Sequence, residues 1–330
     1  MVKSKVWTLK RKFDGKVQTS DFDLVEEEVS DDLKDGEYLI EALHWTVDPY
    51  MRTREVGNVE RNQCMPGEQI AKVIASKNSS RPVGSIVRVF AGWRTHTKII
   101  NEQEQRVGRM PEMNDLPLSL ALGTMGMPGM TAYFGFLELC QPKKGDTVLV
   151  NGAAGAVGNL VGQIAKIKGC KVVGCAGNED KCKWLKELGF DEVFNYKKVD
   201  LSEALKTAAP DGYDCFFDNI GADFTSTALK HMKLFGRVSI CGQISMYNDK
   251  EPPRGVYPFM DILAKQLKVE GFLVSRWYPR WAEGEKDMAQ WIREGKIKYK
   301  ETIYKGFENM PTAFVGLFDG ANTGKAIISS

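Results

Sequence analysis

Histidine is scarce in this chain: His44, His96 and His231 lie far apart and at no ligand spacing. A metal centre needs clustered ligand side chains, so the sequence offers no metal site. The seven cysteines, Cys64, Cys140, Cys170, Cys175, Cys182, Cys215 and Cys241, are odd in number and form no Cys-x-x-Cys pair. This fits reduced thiols in a cytoplasmic protein, several packed in strands as small apolar groups. No apolar run approaches the ~20 residues of a membrane span. The opening Met1-Val2-Lys3-Ser4-Lys5-Val6-Trp7 is too polar for a signal peptide. An excess of charge is missing too. The 45 basic and 43 acidic residues are interspersed and leave a formal +2, which gives no electrostatic case for nucleic acid or an acidic membrane.

What is present is a stretch around which the chain is organised, Asp146 to Gly158. The apolar Val148-Leu149-Val150 has the length of a buried strand. Small residues follow, and then Leu160, Val161, Ile164, Ala165 and Ile167 are spaced like the buried face of a helix. Strand, glycine-rich turn and helix start make an anion cradle, where backbone approaches a pyrophosphate and free N–H groups point at it. One glycine is lacking: Ala153 stands first in the Gly-x-Gly-x-x-Gly spacing, so the match reads Ala-x-Gly-x-x-Gly. From these residues alone, a dinucleotide site competes with a turn whose small residues only allow close packing.

At 330 residues the chain is long enough for two domains. Residues 1–121 read as short strands bounded by Gly and Pro: Val6 to Leu9, Phe22 to Val25, Tyr38 to Val47, Gly67 to Ser76 and Ser85 to Phe90. Tyr50 to Met65 reads as a helical or looped excursion, and Pro117 to Cys140 as a helical hinge. From Asp146 the pattern alternates. Strands are expected at Lys171 to Ala176, Glu192 to Tyr196, Tyr213 to Asn219, Arg237 to Gly242 and Val269 to Val274. Helices are expected at Asp180 to Leu188, Leu201 to Ala208 and Thr225 to Leu234. This predicts an α/β fold, a doubly wound parallel sheet over 122–299 joined to a β-rich domain. The tail, residues 300–330, offers strand, helix and strand and is expected to return to the first domain. The regular alternation favours the dinucleotide reading of the turn.

In NAD sites an acidic residue about 20 positions past the glycines holds the ribose 2′-OH. Gly177 stands there instead. Glu179 and Asp180 follow, but they open a helix, where acids suit the dipole. Lys181 and Tyr196 can serve a 2′-phosphate, so the expected cofactor is NADP(H). Asn219 is placed at the carboxyl edge of the sheet, where ligands bind. The alternatives are an exposed helix lysine at 181 and a turn residue at 219.

The domain order, with Thr46-Val47-Asp48-Pro49-Tyr50-Met51-Arg52, Ala121 to Gly129, Asn195-Tyr196, Phe217-Asp218-Asn219, Cys241 to Asn248 and Gly306 to Pro311, resembles the zinc-free medium-chain dehydrogenases/reductases over nearly the whole chain. Within them it resembles the prostaglandin reductase branch (leukotriene B4 12-hydroxydehydrogenase, alkenal/one oxidoreductase). Gly67-Glu68-Gln69 stands where zinc members carry Gly-His-Glu. The resemblance implies a GroES-like β domain and a Rossmann domain. It implies cofactor contacts at Gly155, Ala156, Val157, Gly158, Lys181, Tyr196 and Asn219. It extends them to Cys241, Gly242, Gln243, Ile244, Ser245, Met246 and Tyr247, to Phe272, Leu273 and Val274, and to Asn322. It also implies a homodimer.

The implied chemistry is NADPH-dependent reduction of a carbon–carbon double bond conjugated to a ketone or aldehyde, with leukotriene B4 oxidation as a related family activity. Such a reaction needs an aligned nicotinamide and a donor near the enolate oxygen, not a covalent nucleophile. Tyr247 is the candidate donor; the alternative is that it only shapes the pocket. Tyr50 and Arg52 are candidates for the substrate side. Arg52 would attract a fatty-acid carboxylate or else serve in an ion pair. A zinc-free quinone reductase and a non-catalytic NADPH-binding protein are the competing functions.

Overall fold

The computed structural model describes residues 1–53, 61–251 and 253–330. In chain order the first strands are β1 (Val2–Leu9), β2 (Phe22–Val29), β3 (Tyr38–Thr46), β4 (Gln69–Ser76), β5 (Ile86–Val89), β6 (His96–Ile99) and β7 (Val107–Gly108). Next come α1 (Met127–Phe134), β8 (Thr147–Val150), α2 (Gly158–Ile167), β9 (Lys171–Ala176), α3 (Glu179–Glu187), β10 (Glu192–Asn195) and α4 (Leu201–Ala208). They are followed by β11 (Tyr213–Asp218), α5 (Ala222–Leu229), β12 (Met232–Ile240), α6 (Phe259–Ala264), β13 (Lys268–Gly271) and α7 (Trp281–Arg293). The tail adds β14 (Glu301–Lys305), α8 (Met310–Asp319) and β15 (Lys325–Ser329).

The chain divides into two compact units. The first holds Met1–Leu122, Glu301–Asn322 and Ala326–Ser330. Its main sheet runs β14-β15-β3-β4-β5-β7, with β6 also on β3, and β1 and β2 pair as a separate hairpin. Trp45, Trp93, Met51, Phe22 and Phe314 are buried in one cluster. The tail helix α8 thus supplies core to the first unit through Phe314, whose ring lies 5.6 Å from that of Trp93. Sequence reading missed β6 and β7, since four and two residues are too short to show alternation. Of the excursion expected from Tyr50 to Met65, Pro49–Arg52 form a single 3₁₀ turn; residues 54–60 lie outside the described residues.

The second unit holds Gly123–Lys300 and Thr323–Lys325. Its sheet runs β10-β9-β8-β11-β12-β13, and every pairing is parallel. With β8 counted first, that is the 3-2-1-4-5-6 order of the Rossmann fold. Absent side chains set the helix-to-sheet distance. A Cβ at Gly162 would lie 1.9 Å from the Phe190 ring, and one at Gly174 would lie 2.6 Å from it. The two glycines, on α2 and β9, therefore make one slot for one phenylalanine.

Several boundaries differ from expectation. Helix α5 starts at Ala222 and ends at Leu229, and the strand expected from Arg237 begins at Met232. The pairing of β12 with β11 jumps from Tyr213↔Met232 to Cys215↔Arg237. The extra residues bulge out with Phe235 at φ 61°. The Phe235-Gly236 pair that reads as a helix stop is thus a bulge within a strand. Likewise β13 ends at Gly271, and Val274 opens a 3₁₀ helix rather than closing the strand.

Candidate active site

The turn after β8 explains the lacking glycine. The left-handed position is Gly152, at φ 54°. Ala153 follows it with no such demand; it is fully buried, and its N–H donates to the Cys175 carbonyl at 3.1 Å. A methyl is therefore tolerated there. Gly158 is different, because a Cβ on it would lie 2.5 Å from the Gly152 oxygen and 2.8 Å from the Ala153 Cα. The turn and the start of α2 are pressed together, and Val157 caps that helix with no side-chain hydrogen bond. The space beside Gly155, Ala156 and Val157 suits an anion whose only obligate partners are backbone N–H groups. The segment Thr323–Lys325 lies on the same turn: Gly324 bridges Gly155, and its N–H donates to the Ala154 carbonyl at 2.8 Å. Asn322 immediately precedes that segment.

The ends of β8 and β11 are tied by a polar network that sequence reading missed apart from Asn219. Asp218 is fully buried. Its carboxylate accepts from Asn151 Nδ2 at 2.7 Å and from the Ile220 and Gly221 N–H groups at 3.0 Å each, and also from the Thr225 hydroxyl. Asn219 donates from its N–H to Asn151 Oδ1 at 2.6 Å and from Nδ2 to the Asn151 carbonyl at 2.9 Å. A carboxylate closing the apolar run Cys215-Phe216-Phe217 was the available signal, since buried charge must be paired or multiply bonded.

That network carries the turn Cys241 to Tyr247. The Cys241 and Gly242 N–H groups donate to the Asp218 carbonyl at 2.9 and 3.1 Å. Ile244 N–H donates to the Asn219 carbonyl at 3.2 Å, and the Ser245 hydroxyl to the Ile220 carbonyl at 2.7 Å. Gln243 N–H donates to Tyr247 Oη at 3.2 Å, and a Cβ on Gly242 would stand 3.1 Å from that oxygen. Burial raises the Tyr247 phenol above its ordinary value. At neutral pH it keeps its proton, and with Oη already accepting, that O–H can donate. Burial pushes the Cys241 thiol up to about 12, so it is no nucleophile. Met246 completes the turn.

At the tip of β9, a Cβ on Gly177 would lie 3.1 Å from Tyr196 Oη and 3.3 Å from Lys197 Cε. The two acids nearby are engaged. Glu179 accepts from Asn195 Nδ2 at 3.0 Å and pairs with Lys198 at 3.0 Å, while Asp180 pairs with Lys183 at 3.7 Å. Burial and the charge of Lys197 lower the Lys181 ammonium. Cations and a phenol converge where an NAD site has a carboxylate.

Other predicted residues take different roles. The Phe272 ring lodges where Gly135 has no side chain, 2.2 Å from a Cβ built there, and it packs on Phe217 and Trp277. Leu273 is 67% exposed, and Val274 is half-buried. Tyr50 and Arg52 belong to the first unit, where Tyr50 packs against the core. The Arg52 guanidinium rests 5.0 Å over the Phe13 ring and donates to the Gly15 carbonyl at 3.0 Å, with its Nε buried and unpartnered. Gln69, at the place of the zinc members' glutamate, is buried and donates to the Gly92 carbonyl at 2.6 Å. Among the described residues no group of three or more His, Cys, Asp or Glu side chains could hold a metal ion. None of their helices is long and apolar enough to cross a membrane.

A family model described as "N-terminal domain of oxidoreductase" matches residues 5–107, and one described as "Zinc-binding dehydrogenase" matches 156–294. Prostaglandin reductase 1 of Bos taurus is 52% identical, with 100% of both chains covered. The 2-alkenal reductase (NADP(+)-dependent) of Nicotiana tabacum is 40% identical over 99% of this chain and 97% of its own. The structure of CurA in complex with NADPH from Vibrio vulnificus superposes with a TM-score of 0.92 at 35% identity, covering 99% of each chain. The parallel sheet in Rossmann order, the glycine turn after its first strand and this identity along the full length agree: the chain belongs to the prostaglandin reductase family of the medium-chain dehydrogenases/reductases.

Proposed function

We propose that this protein reduces the carbon–carbon double bond of α,β-unsaturated ketones and aldehydes with NADPH. The observation that carries the cofactor choice is the approach of Tyr196 and Lys197 to Gly177, with Lys181 close enough to feel the charge of Lys197 and with Glu179 and Asp180 held by other partners. The reaction follows the activities for which two relatives are named, the bovine prostaglandin reductase and the tobacco 2-alkenal reductase. Bound NADPH would supply a hydride to the substrate β-carbon. The residues of this chain do the rest. The N–H groups of the Gly155 to Gly158 turn hold the pyrophosphate. Asn219 and the Cys241 to Tyr247 turn, fixed through Asp218, orient the nicotinamide end. Tyr247, its oxygen held by the Gln243 N–H, donates a hydrogen bond from its O–H to the carbonyl oxygen as negative charge gathers there, and the enolate's α-carbon then takes a proton from water to give the saturated carbonyl. No thiol and no metal ligand enters this scheme.

Oxo-prostaglandins and lipid aldehydes are the substrate classes proposed. We place the protein in the cytoplasm, a reading supported by its free cysteines. We propose a homodimer on the strength of the edge strand β13 and the exposed Tyr257, Phe259, Met260, Leu263 and Leu273 nearby in sequence. Two-fold pairing of that edge would extend the sheet and cover apolar surface. The test is a substrate panel with NADPH, following loss of the nicotinamide absorbance. Turnover of enones and enals is expected. Turnover of quinones alone would assign a quinone reductase, and NADPH binding without any turnover would remove the catalytic reading.

A further inference from the structure

Four lysines stand near the tip of β9, and they are not alike. Lys198 pairs with Glu179 at 3.0 Å and Lys183 with Asp180 at 3.7 Å. Lys197 makes no ion pair among the described residues, yet its Cε comes within 3.3 Å of a Cβ built on Gly177. Its backbone is set: the Lys197 N–H donates to Asn195 Oδ1 at 3.1 Å, and Asn195 Nδ2 in turn donates to Glu179. Burial lowers the Lys181 ammonium first, and the positive charge of Lys197, close enough to act on it, lowers it further. Two cations that repel each other, one of them beside a phenol and a backbone with no side chain, are an arrangement that gains from an anion between them. A phosphate monoester carries about −1.5 to −2 at neutral pH, which one lysine does not balance.

We propose that Lys197 is a second cation for the adenosine 2′-phosphate, and that Gly177 selects the cofactor by leaving its site open to Tyr196 and Lys197. This rests on the NADPH reading above. Lys181 alone would give modest preference for the phosphorylated cofactor. Lys181 with Lys197 matches the dianion, and any side chain at 177 would push the Tyr196 hydroxyl and the Lys197 stem away.

Equilibrium binding of NADPH and NADH, followed by nicotinamide fluorescence, tests this on the full-length protein. Lys197→Gln should weaken NADPH by roughly ten- to a hundred-fold, the range for a charge-assisted bond, while NADH changes by less than about two-fold. Lys197→Arg should keep most of the NADPH affinity. The wild-type preference for NADPH should fall as pH drops through about 6, where the phosphate gains a proton, and Lys197→Gln should flatten that dependence. Equal weakening of both cofactors, or unchanged NADPH binding, would overturn the role of Lys197. A wild type without preference for NADPH would instead overturn the cofactor reading itself.

Discussion

At the scale of residues, a side chain that is missing decides as much as those present. Gly177 leaves room for Tyr196 Oη and Lys197 at a place where a carboxylate would take a ribose hydroxyl. Gly177→Asp should therefore raise the KM for NADPH at least tenfold and lower that for NADH; steady-state kinetics with both cofactors checks this. At Tyr247 the prediction concerns turnover. Tyr247→Phe removes the O–H while keeping the ring, and kcat should fall about a hundredfold with KM little changed, the loss expected for one aimed donor. An unchanged kcat would leave Tyr247 a pocket wall. Much of this was legible in the sequence, because glycines, a lysine after a strand and a tyrosine after a strand carry positional meaning. Lys197, Asn151 and Asp218 were not, since their roles come from neighbours that only the folded sheet brings together. The packing of the Phe272 ring against Gly135 was not legible, since it too depends on a neighbour distant in sequence.

At the scale of elements, most strands were readable, the short β6 and β7 excepted, and strand ends were not. Apolar runs such as Val148 to Val150 announce buried strands, but the bulge at Phe235 depends on its pairing partner, and nothing in the stretch Val269 to Val274 marks where the strand gives way to the 3₁₀ helix opening at Val274. The close approach of α2 to β9 makes a stability prediction. Gly174→Ala puts a methyl into the Phe190 ring and should cost about 1–3 kcal/mol, read as a lower urea midpoint. Adding Phe190→Leu should recover part of the loss, because the clash is with that ring. In the first unit, Arg81 donates to Glu102 at 2.7 and 3.1 Å, and the Tyr38 hydroxyl donates to it at 2.7 Å. The Arg81 guanidinium, with Tyr38, holds the Glu102 carboxyl below its usual range. A carboxylate lowered on folding stabilises above its unfolded value of about 4.3 and loses that contribution as pH falls through the folded value. Glu102→Gln should thus lower stability at neutral pH and flatten the acid limb below the unfolded carboxylate value of about 4.3. An acid limb identical to that of the wild type would contradict the pairing.

At the scale of the whole molecule, each unit has its own core, and the tail from Glu301 folds with the first unit except for Thr323–Lys325, which lies on the glycine turn of the second. The exposed apolar residues from Val256 to Leu273 are the largest departure from an ordinary surface, and they sit beside an edge strand. Sedimentation equilibrium should give twice the 36.9 kDa chain mass, and Met260→Asp with Leu263→Asp should shift the population to single chains. A monomer in the wild type would remove the dimer. The central claim is about which bond is reduced. The most direct measurement is product analysis after incubation with NADPH and an enone such as a 15-oxo-prostaglandin. The account predicts the saturated ketone, formed one for one with the NADPH consumed. An allylic alcohol, or an unreacted enone with NADPH intact, would contradict it.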